Sequence, residues 1–168
     1  MHFEKISLKQ WIKDFPDENP IITEEIYNNL KLPKQGTMGS AGMDFFIPCQ
    51  VTIQPKCYAL IPTGIRWVTD KNTFGFVLNM YPRSGMGFKT GIRMANTVAV
   101  IDETYYQSDN EGHIMIKMYN PSDQPIVIEE GKAFCQGIIT KYYICDGAES
   151  DIQRNGGFGS TDKDRDKK

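Results

Sequence analysis

Apolar residues in the first 32 positions recur at helical spacing. Leu8, Trp11, Ile12 and Phe15 fall at i, i+3, i+4 and i+7, one face of an amphipathic helix. Ser7 followed by Gln10 reads as a capping box at its start. Pro16 ends the run, because proline disfavours helix in the residue before it. Thr23 is the expected cap of a second short helix carrying Ile26, Tyr27 and Leu30, with Pro33 and Gly36 marking the exit. Residues 1–32 therefore form a predicted helical extension, separate in character from the rest of the chain.

From about residue 41 the pattern shifts to short runs rich in β-branched and aromatic residues. Strands are predicted over 57–62, 64–69 and 74–80, then over 92–101, 113–119, 125–129 and 133–144. Pro55, Pro62, Gly64, Asn72, Pro82 and Gly85 punctuate them. Nothing between 41 and 145 has the periodicity of a long amphipathic helix. Many short strands with frequent turns give an all-β sandwich or closed barrel over 33–150. Residues 151–168 differ again. Three glycines around Phe158 make ordering costly in backbone entropy, and the alternating charges of 162–168 predict a flexible arm.

Composition narrows the function. A chain of 168 residues suits one domain that folds without disulfides or metals. A net charge of −2 excludes a general nucleic-acid coat, which needs a basic excess. It leaves room for a small phosphorylated ligand, which needs only local donors. The apolar runs, such as Val98 to Ile101, are far shorter than the ~20 residues of a membrane span. The start lacks the basic-then-apolar pattern of a signal peptide. Cys49, Cys57, Cys135 and Cys145 have no CxxC spacing, and His2 and His113 are too scattered for a zinc site. A cytoplasmic protein with reduced thiols is expected.

Four segments invite chemistry. Arg83-Ser84-Gly85 offers a guanidinium, a hydroxyl and an approachable backbone, suited to phosphate oxygens; it also fits a plain surface turn. Asp102 emerges from the apolar run Val100-Ile101. It reads either as a carboxylate that orients and deprotonates a water or as a turn cap. Gln136 is an amide in an apolar strand and needs a partner, backbone or ligand. In the tail, Phe158 among glycines with Ser160 and Thr161 reads as a flexible terminus or as an aromatic lid with phosphate contacts.

With 41–45, these segments fall in the order of the five motifs of the trimeric deoxyuridine triphosphatases (dUTPases), whose bacterial and phage branch the chain resembles. The resemblance spans 33–161 and is strongest over 82–106 and 154–161. It implies a jelly-roll barrel and a homotrimer with sites shared between chains. It also implies magnesium-assisted attack of water on the α-phosphorus of dUTP, yielding dUMP and pyrophosphate. Carried over residue by residue, Asp102 matches the acid that holds the water and the 3′-hydroxyl. Tyr105 matches the ring under the deoxyribose that excludes ribonucleotides. Asn96 lies in the hairpin that reads uracil. Ser84, Gly85 and Gln136 match phosphate contacts, and Arg83 a nearby cation. Asp44 matches the acid that holds a magnesium-bound water, an outer-sphere role. Phe158 and Gly159 match the stacking lid, and Ser160 and Thr161 the γ-phosphate contacts.

Several positions depart from the family pattern. Met43 replaces the usual Tyr, and Ala99 the usual Gly. Extra residues lie near Gln107 to Glu111. Arg154 sits one place nearer the glycine pair than the usual tail arginine, with Gln153 in the standard position. The dCTP deaminases share the fold but need a glutamate where this chain has Lys117, which argues against deamination. A nucleotide-gated interaction protein on the same scaffold is the other alternative.

Overall fold

The computed structural model describes residues 1–15, 19–70 and 75–148. The chain opens with a strand, β1 (His2–Lys5), then two helices, α1 (Leu8–Asp14) and α2 (Pro20–Asn29). Strands β2 (Lys34–Gln35), β3 (Met43–Phe46), β4 (Val51–Ile53), β5 (Tyr58–Pro62), β6 (Ile65–Val68) and β7 (Phe76–Pro82) come next. A short helix, α3 (Ser84–Thr90), leads to β8 (Arg93–Met94) and β9 (Ala99–Asp102). After a 3₁₀ turn at Tyr105–Gln107 come β10 (Met115–Tyr119), β11 (Ile126–Ile128) and β12 (Ala133–Lys141). The paired strands are antiparallel and make open sheets, ordered β2-β3-β12-β7-β9, β5-β10-β8, β1-β6 and β11-β4.

Alternation along the strands builds the core. In β7, Leu78 and Met80 are fully buried while Val77, Asn79 and Tyr81 face outward. Phe45, Trp67, Ile114, Ile116 and Phe134 fill the space between the layers. Cys135 belongs to this core. Burial pushes its thiol well above the ordinary range, and the nearby Asp44 charge adds to the push. No disulfide joins any of the four cysteines.

The predicted strand over 92–101 is two strands in two sheets. β8 pairs with β10, whereas β9 pairs with β7. Between them the chain crosses over at Ala95–Val98, where Thr97 has φ 62°. Periodicity alone cannot show a change of partner strand. The Arg83-Ser84-Gly85 turn is the start of α3, with Arg83 at its cap position.

The N-terminal extension is not wholly helical, and it is built into the body. Its first residues pair with β6, in register His2 with Val68 and Lys5 with Ile65. Trp11 and Phe15 stack at 4.6 Å and pack with Ile6 and Leu30 in a second core. Ile12, expected on the same face, is half exposed. The cap of α2 is Asn19, followed by Pro20 in the first turn, not Thr23. Thr23 lies inside the helix and donates its hydroxyl to the Asn19 carbonyl at 3.0 Å. Pro16 lies outside the described residues.

The capping box at α1 is completed from elsewhere. Ser7 Oγ accepts from the Gln10 N–H at 3.1 Å, as expected. The Gln10 side chain turns instead to Asp14, at 2.8 Å. Glu111 takes its place, accepting from the Ser7 N–H at 2.8 Å and from the Ser7 hydroxyl at 2.6 Å. Burial raises the Glu111 pKa, but these two hydrogen bonds together with the Arg66 charge outweigh it and hold the carboxyl below its usual range.

His113, fully buried, closes the other end of α1. The Gly64 N–H can only donate, so His113 Nε2 is its acceptor at 2.8 Å. Nδ1 then carries the proton and donates to Asp14 Oδ2 at 2.7 Å. Burial lowers the His113 pKa, and the Asp14 and Glu111 charges offset this only in part. The folded chain therefore protonates His113 less readily than the unfolded chain, whose ordinary value is 6.5. Stability from this site is complete above that value. As pH falls below it, the unfolded state takes up a proton that the folded state refuses, so stability declines until the lower folded pKa is passed. Unfolding free energies from urea titrations between about pH 7 and 5.5 should fall, with a slope from this group no steeper than ~1.4 kcal/mol per pH unit, the limit for one proton. His113→Gln should flatten that slope. An unchanged slope would show that His113 is not the titrating group.

Candidate active site

The middle of the five-stranded sheet carries a polar pocket on its outer face. In register, Lys34, Asp44, Gln136 and Tyr81 lie side by side across β2, β3, β12 and β7. Asp44 and Gln136 open into a cavity of about 290 Å³ shared with Arg83, Thr37 and Ser40. Arg83 Nη1 pairs with Asp44 Oδ2 at 3.3 Å. A bulge in β12 between Ala133 and Cys135 resets the pairing with β3. The Phe134 carbonyl there accepts the Arg83 N–H at 3.1 Å, fixing the start of α3 beside the pocket. Thr37 and Ser40 hydroxyls lie 2.7 Å apart on its rim.

The glycines around this pocket have different reasons. A Cβ on Gly42 would collide with the Gln136 amide, so the glycine lets that side chain lie against the backbone. Gly85 and Gly87 sit in α3, where an added Cβ meets open space. Among the described residues, neither packing nor backbone conformation calls for glycine there, and each disfavours the helix by ~1 kcal/mol relative to alanine.

Asp102 is not in the pocket. It ends β9 on the same outer face, since Ala99 and Ile101 turn inward and Val100 is exposed. Its register partner is Val77, four residues along β7 from Tyr81, which pairs with Gln136. At ~3.3 Å per residue and ~4.8 Å per strand, the Asp102 backbone is roughly 16 Å from that of Gln136. Within one chain, Asp44, Arg83 and Gln136 converge, and Asp102 stands apart at the sheet edge.

Asn96 lines a separate, mainly apolar cavity of about 370 Å³ with Leu60, Met94, Ala99, Met115 and Lys117. Tyr105 is nearly buried. Its hydroxyl donates to the His113 carbonyl at 3.2 Å and accepts from Asn110 Nδ2 at 2.9 Å. Arg154, Phe158, Gly159, Ser160 and Thr161 lie outside the described residues.

Glu103 is a site neighbour that sequence reasoning misses. It is buried beside Asp102, and its carboxylate accepts from the Tyr142 hydroxyl at 3.0 Å and the Phe76 N–H at 3.4 Å. Burial, then the Glu103 hydrogen bond and charge, then the Asp102 charge raise the Tyr142 pKa, so the phenol stays a donor. Two adjacent acids after an apolar strand are the available signal. Which one turns inward depends on the pairing of β9.

Comparisons with known proteins bear on this arrangement. A family model described as dUTPase matches residues 28–162. The deoxyuridine 5'-triphosphate nucleotidohydrolase of Lactococcus lactis subsp. lactis (strain IL1403) is 38% identical over 144 residues, covering 84% of this chain and 94% of that protein. The protein of the same name from Finegoldia magna is 36% identical, covering 80% and 93%. A crystal structure of dUTPase from Streptococcus mutans superposes with a TM-score of 0.68 at 34% identity, over 88% of this chain and 100% of that one. The dUTPase of Staphylococcus bacteriophage 80alpha, 19% identical, shares the fold with a TM-score of 0.60 over 76% and 93%. The match runs through the strands, the polar pocket and the sheet edge alike, and at this identity and coverage the chain belongs to the dUTPase family, with its jelly-roll type of fold.

Proposed function

We propose that this chain hydrolyses dUTP to dUMP and pyrophosphate by attack of water on the α-phosphorus. The observation that carries this reading is the convergence of Asp44, Arg83 and Gln136, far apart in sequence, on one polar pocket. Arg83, Gln136, Ser84 and the backbone at Gly85 neutralise and position the triphosphate there. Asn96 reads uracil from the neighbouring cavity, presenting donor and acceptor to N3 and O4. Tyr105 packs under the deoxyribose and excludes a 2′-hydroxyl. Asp102 orients the water and takes its proton. Phe158 and Gly159 cover the base, while Ser160 and Thr161, with Arg154, approach the γ-phosphate.

Among the described residues lining the pocket, Asp44 is the one carboxylate, beside the Thr37 and Ser40 hydroxyls. No group of three or more His, Cys, Asp or Glu residues suited to a metal occurs among the described residues. That donor set fits a hydrated magnesium ion carried by the triphosphate, which keeps its waters and needs only one or two protein carboxylates. Asp44 would hold it through a water, and the ion would supply charge neutralisation. Phosphoryl chemistry of this kind depends on positioning and electrostatics more than on covalent steps.

The roughly 16 Å between Asp102 and the pocket supports a site completed by a second chain, and the reading includes a homotrimer with shared sites. No helix among the described residues is long and apolar enough to cross a membrane, which is compatible with a cytoplasmic enzyme.

A pyrophosphate-release assay across dUTP, dCTP, dTTP, dATP, dGTP and UTP, with magnesium and with excess chelator, tests the proposal. Turnover of dUTP should exceed that of each other nucleotide by at least ~10²-fold, since a hydrogen-bonding base site rejects wrong patterns strongly. Chelation should cut it sharply. Release of ammonia from dCTP without pyrophosphate, or no pyrophosphate from dUTP, would overturn it.

A further inference from the structure

The extra residues Gln107 to Glu111 and the N-terminal extension meet, and Tyr105 lies on the other side of that contact. Glu111 completes the cap of α1 through two hydrogen bonds from Ser7. His113 is held between Asp14 and the Gly64 backbone. The same short loop reaches Tyr105 twice, through Asn110 Nδ2 and the His113 carbonyl, both on the phenol oxygen. Asn110 is fixed in turn, its Oδ1 accepting the Gly112 N–H at 3.1 Å and its carbonyl the His113 N–H at 3.1 Å.

The loop carries a strained backbone position. Glu111 has φ 58°, a left-handed geometry that a residue with a side chain adopts at a cost. Gly112 comes next at φ 73°, and a Cβ there would collide with the backbone of Tyr106 and come within 2.8 Å of the Tyr105 carbonyl. The loop is therefore pressed on the backbone of the segment that carries the Tyr105 ring, and Ser7 restrains the strained residue.

We propose that the N-terminal extension is a brace for sugar discrimination: by holding Glu111 and His113 it fixes the loop that positions Tyr105. Glu111 and Asn110 are positioning residues that act through Tyr105. The inference rests on the reading of Tyr105 as the ring beneath the deoxyribose. A ring held at both hydroxyl and backbone cannot withdraw to admit a 2′-hydroxyl, whereas a loosened one can. Sugar choice would then depend on a segment outside the five motifs.

The test measures kcat/KM for UTP and dUTP in the full chain, with melting temperatures alongside. Glu111→Ala and Asn110→Ala should each raise the UTP/dUTP ratio at least threefold, while Glu111→Ala leaves kcat for dUTP within twofold. Glu111→Gln should behave as wild type, because its amide oxygen accepts from the Ser7 N–H and its amide nitrogen donates to the Ser7 hydroxyl. Tyr105→Ala serves as reference and should raise the ratio at least tenfold. If Tyr105→Ala raises it and both alanine variants leave it unchanged, the brace plays no part in specificity, whatever happens to the melting temperature. An equal rise in Glu111→Gln and Glu111→Ala would overturn the hydrogen-bond account. A ratio unmoved by Tyr105→Ala would mark the failure of the Tyr105 reading itself, and the brace would fall with it.

Discussion

Replacing Asp102 with asparagine should leave nucleotide binding nearly intact and lower dUTP turnover by ~10²–10⁴-fold, the usual worth of a positioned general base. The amide has the shape of the carboxylate but cannot take a proton from water. Asp102 closes β9, whose pairing with β7 holds its backbone in place. Buried Glu103 next to it is tied to Tyr142 and to the β7 backbone, so the geometry around position 102 does not depend on the Asp102 charge alone. Single-turnover hydrolysis of dUTP, with dUMP affinity by calorimetry, separates chemistry from binding. A rate constant within threefold of wild type would remove Asp102 from the role of base. A loss of affinity equal to the loss of rate would make it a binding residue instead.

The second large effect is a recovery of activity. Asp102→Asn and a truncation after Ile152 should each be nearly inactive alone. If a site takes Asp102 from one chain and the tail from another, mixing the two variants rescues it. In a cyclic trimer, either mixed composition contains one ordered neighbour pair with an intact Asp102 and an intact tail. Random reassembly at equal amounts gives roughly three quarters mixed trimers with one active site in three, so about a quarter of wild-type activity should return. Co-expression with two affinity tags isolates the mixed species. The separation of Asp102 from Asp44, Arg83 and Gln136 along one sheet is the structural reason to expect this result. Mixed trimers that stay inactive would place Asp102 and the tail in one chain's site, and the shared-site arrangement would be withdrawn.

The local features read from the sequence rest on local physics. Ser7 caps α1, and Trp11 and Phe15 form its buried face, because a 3.6-residue period is visible in any window of two turns. Strands β5, β6, β10, β11 and β12 fall within their predicted stretches, and β7 runs two residues past its own, because β-branched runs between turn residues stand out. The pattern misleads where a neighbour distant in sequence decides the outcome. The run at 92–101 divides between two sheets, which depends on β10 and β7 and not on its own residues. The first residues form a strand because β6 offers an edge. Ser84 and Gly85 start a helix because the Phe134 carbonyl, at a bulge about fifty residues later, anchors Arg83.

The candidate site divides in the same way. Residue types alone single out Arg83, Ser84, Asp102 and Gln136, because the chemistry of a carboxylate, guanidinium, hydroxyl or amide belongs to the residue itself, whereas Asp44, Asn96 and Tyr105 are named only by the resemblance to the family's motifs. Which of them meet was decided only by the register of β3, β12, β7 and β9, which brings Asp44 to Gln136 and holds Asp102 at the sheet edge. The purpose of Glu111 and His113 is equally invisible in the sequence. Each is an ordinary polar residue until folding sets it against Ser7 and Asp14, about a hundred positions earlier. Hydrogen bonds act over about 3 Å, so sequence alone can supply the partners of such a bond but not their proximity, and proximity across the chain is what the packed sheets provide.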